Sequence, residues 1–254
     1  MNGEKPLTDR TWSRILSAQT KRGVTIPEPW RALFEPLVRD RGARPWVIGQ
    51  LGQSLDGRIA TPSGHSHYIN GMAAIVHLHR LRALVDGVVI GIGTALADDP
   101  QLTVRHVAGA SPARVVIDSK GRLPPSAKLL REDGCRRVIV TESDSQIAAP
   151  SGVEFLRIAR GADGQLDPLA ITHGLSALGF RRLLIEGGMT TLSAFLARGC
   201  LDRLHLAIAP IILGSGMVGM TLPPIERVEQ GLRPKTAVYP LGEDLLIDCD
   251  LNGT

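Results

Sequence analysis

The stretch "VVIGIGTALADDPQLTVR", residues 88–105, concentrates chemistry-bearing residues in this chain of 254 residues. An apolar run enters Gly91 and Gly93, and Thr94 follows at once. Glycines let a ligand approach the backbone closely, and free amides in such a turn bind phosphate. Asp98, Asp99 and Pro100 then read either as a paired acid for proton transfer or metal binding, or as a turn. Leu102 and Arg105 close the segment. A second stretch, "LLIEGGMTTLSAFLARG", residues 183–199, ends an apolar run in Glu186, turns on Gly187 and Gly188, and passes Met189 to begin a helical pattern near Thr190. The amides and dipole at a helix start attract anions. A carboxylate at the C-terminal end of a strand stands where α/β sheets hold ligands. The plainer alternative is a tight strand-to-helix turn. The spacing is not GxGxxG, so an ordinary dinucleotide-binding domain is disfavoured.

A third stretch, "GQSLDGRIATPSGHSHYI", residues 52–69, turns at Asp56–Gly57 and continues as a polar loop. Its hydroxyls and histidines either bind phosphate or are simply solvated. The histidines raise a metal site, and geometry argues against it. Helical residues two apart point about 200° around the axis, so His77 and His79 share no ligand face. His65 and His67 pair only in an extended loop, and no carboxylate or cysteine completes a set. No Gly-x-Ser-x-Gly is present, which disfavours a serine hydrolase.

These segments need elements to hold them. From residue 46 onward, short β-rich runs alternate with helical ones. Strands are predicted in "WVIGQLG", "GVVIG", "ARVVIDS", "RRVIVTE", "VEFLRI", "RRLLIE", "LHLAIAPII" and "DLLIDCD", and helices over 70–84, 168–178 and 190–198. Near-continuous apolar runs imply strands covered on both faces. Alternation of β and α implies a layered α/β fold with a largely parallel sheet. The last two predicted strands have no helix between them, so the sheet is expected to end antiparallel. Residues 1–45 read as a helical extension on a domain spanning 46–254. Asp9 is a candidate N-cap for a stripe of Trp12, Ile15 and Leu16, and Trp30, Leu33, Phe34, Leu37 and Val38 form another. The extension is expected to pack on the body, with an oligomer contact or a lid as the other readings.

Totals exclude several classes. Basic residues are scattered and net charge is +4, which gives no nucleic-acid patch. No run reaches the ~20 apolar residues needed to span a bilayer. Nothing after "MNGEKPLTDR" reads as a secretory signal. Cys135, Cys200 and Cys249 are odd in number and far apart, so reduced thiols are expected rather than a disulfide framework. A cytoplasmic protein with no nucleic-acid or membrane partner is expected.

Taken in order, "SLDGRIA", "SGHSHYI", "HRLRALVDGVVIGIGTALADDPQLTVR", "VVIDSKGRLP", "LLIEGG" and "APIILG" resemble the riboflavin-biosynthesis reductase family over roughly residues 46–250. The resemblance implies a dihydrofolate-reductase-like, three-layer α/β/α fold with a mostly parallel sheet ending in antiparallel strands. It implies hydride transfer from NADPH to C1′ of a ribosylamino-pyrimidine 5′-phosphate, giving the ribitylamino product. By that resemblance Thr94 and Asp98 contact the cofactor on its nicotinamide side, and Gly187, Gly188, Met189 and Thr190 cradle its diphosphate. Gly52 joins the cofactor set, and Ser119 stands near the adenosine ribose and its 2′-phosphate. Ser66, Arg82 and Arg105 hold the substrate phosphate, and Leu102 and Glu186 line the pyrimidine and ribose. Asp98 and Glu186 are the catalytic candidates. A homodimer is implied, because many relatives are homodimers.

The helix geometry is consistent with a ligand role for Arg82: it lies at i+3 from His79, while Leu78, Leu81 and Val85 occupy another side. A solvated arginine is the alternative. The pattern departs from the family in three ways. The zinc-deaminase motifs of bifunctional members are missing, so only the reductase step is implied. Gln50 stands where bifunctional relatives carry Lys, and Tyr68 where Trp is common. Substrate identity therefore stays open to a dihydrofolate or dihydropterin reductase, or to a non-catalytic NADPH-binding protein.

Overall fold

The computed structural model describes residues 7–39, 42, 44–67, 69–148, 151–161 and 164–252. The β-rich runs form β1 (Trp46–Ser54), β2 (Arg58–Ala60), β3 (Gly87–Gly91), β4 (Ala113–Ile117), β5 (Arg137–Glu142), β6 (Val153–Ile158), β7 (Arg182–Glu186), β8 (Arg203–Ala209), β9 (Met217–Val218), β10 (Lys235–Leu241) and β11 (Asp244–Asp250). The helices are α1 (Asp9–Thr20), α2 (Arg31–Val38), α3 (Met72–Leu84), α4 (Ile92–Asp98), α5 (Pro168–Ala177) and α6 (Met189–Ala197). Nine strands form one sheet in the order β10-β11-β8-β1-β7-β3-β4-β5-β6, and β2 and β9 pair separately. Pairing is parallel from β8 through β6 and antiparallel at β8–β11 and β10–β11.

Alternation along each strand sorts the layers, because successive side chains leave opposite faces. Trp46, Ile48, Val88, Ile90, Leu184 and Ala207 share one apolar cluster with α1, α2, α3 and α4. Val47, Val89, Leu183 and Ile185 share the other with α5 and α6. This is the three-layer, dihydrofolate-reductase-like arrangement expected. Asp167 caps α5 by accepting from the Leu169 amide, with Pro168 opening the helix where a missing N–H costs nothing.

Three local expectations are corrected. The N-cap of α1 is Thr8, whose hydroxyl accepts the Thr11 amide at 3.2 Å, and Asp9 is the first helical residue. The glycines after β3 do not form an open phosphate turn: Gly91 caps α4, and Gly93 lies inside that helix. β10 carries Pro240 and was not read as a strand. It is the edge strand of the sheet, where a proline removes no necessary ladder bond.

The extension joins the larger cluster, burying Trp12, Ile15, Ile26, Leu33, Phe34, Leu37 and Val38 against α3 and the sheet. This has a consequence for α3, which is covered on nearly every side. His77, His79, Leu81 and Arg82 are all buried, so the reading of Arg82 as a solvated residue is overturned. The polar members then need internal partners. The ring nitrogens His77 Nε2 and His205 Nδ1, the latter on β8, lie 3.0 Å apart.

Candidate functional site

Glu186 is the last residue of β7 and shares a face with Leu184, toward α3. Its carboxylate accepts two bonds from Arg82, from Nε at 2.7 Å and from Nη2 at 2.6 Å. Both side chains are less than one-tenth exposed. Arg82 Nη1 donates in addition to the Thr103 carbonyl at 3.1 Å. Burial acts to lower the guanidinium pKa, and the Glu186 charge and hydrogen bond more than offset it, so the pKa is raised. The bidentate pairing uses two of the five guanidinium N–H groups and the Thr103 carbonyl a third, which leaves two.

The chain after α4 wraps this pair. Asp98 is the last residue of α4, and Asp99, with φ of 40°, caps that helix in the left-handed conformation, so the segment is a helix C-terminus. Asp99 also accepts the Lys128 amide at 2.8 Å and lies 3.2 Å from Lys128 Nζ. Leu102 has φ of 54° and is buried. Arg82, Asp99, Pro100, Gln101, Leu102, Arg105 and Lys128 line a cavity of about 230 Å³. Arg82 and Lys128 each face a carboxylate. Among the described residues Arg105 instead bonds neutral oxygens, Thr103 Oγ1 at 2.9 Å and Gln101 Oε1 at 3.5 Å. Three cations line the cavity with one carboxylate, and Glu186 offsets Arg82 from behind, so the lining keeps a positive excess that rests on Arg105.

The sequence reading missed Lys128, Asp99 as a lining group, and His79. Lys128 belongs to no motif, and its place is decided by the turn of chain after β4. For His79 the signal was present: it lies one helical turn before Arg82. Its Nδ1 accepts the Arg105 amide at 3.0 Å, which requires a neutral ring. Burial, then the charges of Arg82, Arg105 and His106, hold its pKa at about 3 against an ordinary 6.5. Between those values the unfolded chain binds more protons here than the folded one, so stability falls as pH drops from 6.5 toward 3. Denaturant titrations over that range should show the loss. His79→Asn, which keeps an acceptor near Nδ1 and cannot titrate, should flatten part of the slope. The rest remains, because burial beside His205 and Arg80 also lowers His77. An unchanged slope in the variant would remove His79 from the account.

A second group of residues gathers where α4 meets the β7–α6 turn. Thr94 Oγ1 accepts the Gly188 amide at 3.0 Å. Gly187 has φ of 100°, and a Cβ there would lie 2.8 Å from Thr94 Oγ1. Gly188 is the N-cap of α6, with no side chain capping it. The first amides of α6, from Met189 onward, therefore have no partner within the helix. Met189, Thr190, Ser193, Ala194, Ala197 and Thr221 line an adjoining cavity of about 290 Å³. A bare glycine turn at an uncapped helix start, beside a mostly apolar hollow, fits a diphosphate-bearing dinucleotide.

The model of the RibD C-terminal domain family matches residues 45–245. The chain belongs to this family. It is 36% identical over 222 residues to a 2,5-diamino-6-ribosylamino-4(3H)-pyrimidinone 5′-phosphate reductase of Methanothermobacter thermautotrophicus, across 83% of this chain and 100% of that one. It is 34% identical over 209 residues to the riboflavin biosynthesis protein RibD of Aquifex aeolicus, across 80% of this chain and 57% of that one. The solved structure of Acinetobacter baumannii RibD, form 1, matches with a TM-score of 0.72 at 31% identity, over 87% of this chain and 61% of that one. Saccharomyces riboflavin biosynthesis reductase Rib7 shares the fold, with a TM-score of 0.69 at 21% identity, over 84% of this chain and 92% of that one.

Within this RibD-type domain the remaining predicted residues are placed unevenly. Ser119 follows β4 at the C-terminal end of the sheet, and its carbonyl accepts from Thr141 Oγ1 at 3.3 Å. Asp98 is exposed at the end of α4 and does not line the 230 Å³ cavity; its neighbour Asp99 does. Gly52 lies on β1 directly against Asn70, where a Cβ would collide with the amide oxygen. Ser66 is half-buried in the loop before α3 and is not among the cavity's lining residues. Gln50 is buried on β1, in register with Glu186 on one side and His205 on the other. Tyr68 lies outside the described residues. Among the described residues no helix is long and apolar enough to cross a membrane.

Proposed function

We propose that this chain is an NADPH-dependent reductase of riboflavin biosynthesis that converts a ribosylamino-pyrimidine 5′-phosphate to its ribitylamino product. One observation carries the reading. A cationic cavity formed by Arg82, Arg105 and Lys128 shares two chain segments with the glycine cradle: Thr94 leads through α4 into Asp99, and Glu186 directly precedes Gly187. Substrate phosphate and cofactor diphosphate are thereby anchored from the same two turns, which orients the two ligands relative to each other.

When bound, NADPH supplies the hydride that reduces C1′ of the opened ribose. The protein's share is positional and electrostatic. Arg105 and the two spare Arg82 donors hold the phosphate, with Lys128 adding charge. Ser66 joins them from its loop, and Leu102 walls the pyrimidine. Glu186 fixes the plane of the Arg82 guanidinium and borders the ribose. The Gly187–Gly188 turn and the amides of Met189 and Thr190 take the diphosphate. Thr94 and Asp98 face the nicotinamide side, Gly52 belongs to the cofactor set, and Ser119 meets the ribose 2′-phosphate. Exposed apolar residues between 211 and 232, among them Ile212, Ile225 and Val228, support a homodimer. A cytoplasmic enzyme with no nucleic-acid or membrane partner completes the reading.

The test follows NADPH absorbance with the ribosylamino-pyrimidine phosphate and, in parallel, with dihydrofolate. Arg105→Ala should raise KM for the phosphorylated substrate by about 10- to 100-fold, the loss of one charge-assisted contact of about 1.5–3 kcal/mol. Turnover of dihydrofolate alone, or an unchanged KM, overturns the substrate assignment. Cofactor binding without turnover of either substrate would make the chain a binding protein.

A further inference from the structure

The helical extension lies outside the residues matched to the family, yet it reaches the loop that carries Arg105. Residues 99–112 form neither helix nor strand. Three of their ties come from α3 and from the loop itself. The Arg105 amide donates to His79, Arg82 donates to the Thr103 carbonyl, and the Val104 amide donates to Ser111 Oγ at 3.0 Å. A further tie comes from α1: the indole Nε1–H of Trp12 donates to the Ala108 carbonyl at 2.8 Å.

Trp12 is well placed to be a fixed point. It is 3% exposed, its ring meets Phe34 edge-on at 6.0 Å between centroids, and the Arg80 guanidinium lies 5.9 Å over its face. The next loop residue, Gly109, is pressed against both helices. A Cβ there would lie 2.5 Å from Ala83 Cβ on α3 and 3.7 Å from Leu16 Cδ2 on α1. Arg105 has a long, exposed side chain, and such a donor holds an anion well only if its backbone is held first.

We propose that α1 braces the Arg105 loop, with Trp12 as a positioning residue for the substrate phosphate acting through the Ala108 carbonyl. The functional half of this inference rests on Arg105 as a phosphate ligand. Ala108 is exposed, so water replaces the indole when its N–H is removed, and the loss falls on loop order rather than on the fold.

Trp12→Phe in the full chain keeps an aromatic ring and deletes the donor. It should speed amide exchange over residues 103–109 and raise KM for the ribosylamino-pyrimidine phosphate by about fivefold, with kcat and NADPH affinity within about twofold. The control is Gln19→Ala, which removes another α1 tie, from Gln19 Nε2 to the Leu84 carbonyl at 2.9 Å, without touching the loop. It should change neither readout. Unchanged exchange in Trp12→Phe, or equal changes in both variants, overturns the brace. Faster exchange with an unmoved KM, while Arg105→Ala still raises KM, shows that the brace does not position Arg105 and also overturns the proposal. If Arg105→Ala leaves KM unmoved as well, the phosphate assignment is what fails, and the exchange result still establishes the brace.

Discussion

Glu186→Ala should destabilise the fold by about 3–5 kcal/mol in denaturant unfolding, the usual cost of leaving one partner of a buried ion pair behind. The reason is Arg82. Its guanidinium is buried, and two of its three bonds end on the Glu186 carboxylate. Its guanidinium meets solvent only through the cavity it lines, so water there offsets part of the lost pairing and the cost falls toward the lower end of that range. The double variant Arg82→Met/Glu186→Leu should recover most of that stability, since an apolar pair of similar volume pays no desolvation. It should remain severely impaired toward the phosphorylated substrate, because the cavity has lost one of its three cations. A double variant as unstable as the single one would show that the pair is not the source of the loss. A double variant with normal KM would remove Arg82 from the substrate site.

Gly187→Ala should weaken NADPH binding by about 10- to 100-fold, equivalent to about 1.4–2.8 kcal/mol. With φ of 100° the position strains any L side chain by roughly 1–3 kcal/mol. The new methyl also meets Thr94 Oγ1. Relief requires the turn to shift, and the Gly188 amide and the start of α6 shift with it. Gly179→Ala is the matched control. Gly179 has φ of 93° with open space around a Cβ, and it lies beyond the C-terminus of α5, away from the cradle. Both variants should lose stability, and only Gly187→Ala should lose cofactor affinity, as read by fluorescence titration with NADPH. Equal affinities in the two would sink the assignment of the cradle.

Much of the architecture was legible in the chain because it depends on neighbours in sequence. Apolar runs such as "GVVIG" and "RRLLIE" marked buried parallel strands, and the Glu186–Gly187–Gly188 order marked a strand-to-helix turn. Thr94 and the glycine pair were singled out separately, and the structure brings them into contact. β10 was illegible because a proline in a run argues against a strand, and only its place at the sheet edge makes Pro240 harmless. The short helix α4 was hidden by Gly91 and Gly93, which read as a loop when taken locally.

The sequence by itself determined residue types, periodicities and the order of the turns, and these were enough to place a layered α/β sheet. Only the tertiary structure decided which polar side chain meets which. Arg82 and Glu186 are 104 positions apart, Trp12 and Ala108 are 96 apart, and Lys128 and Asp99 are 29 apart. Local spacing cannot choose among such partners. The choice follows from covering α3 with α1 and α2, because a helix buried over most of its surface must satisfy His77, His79 and Arg82 internally, and the nearest available groups lie on the sheet and on the loop that folds over it.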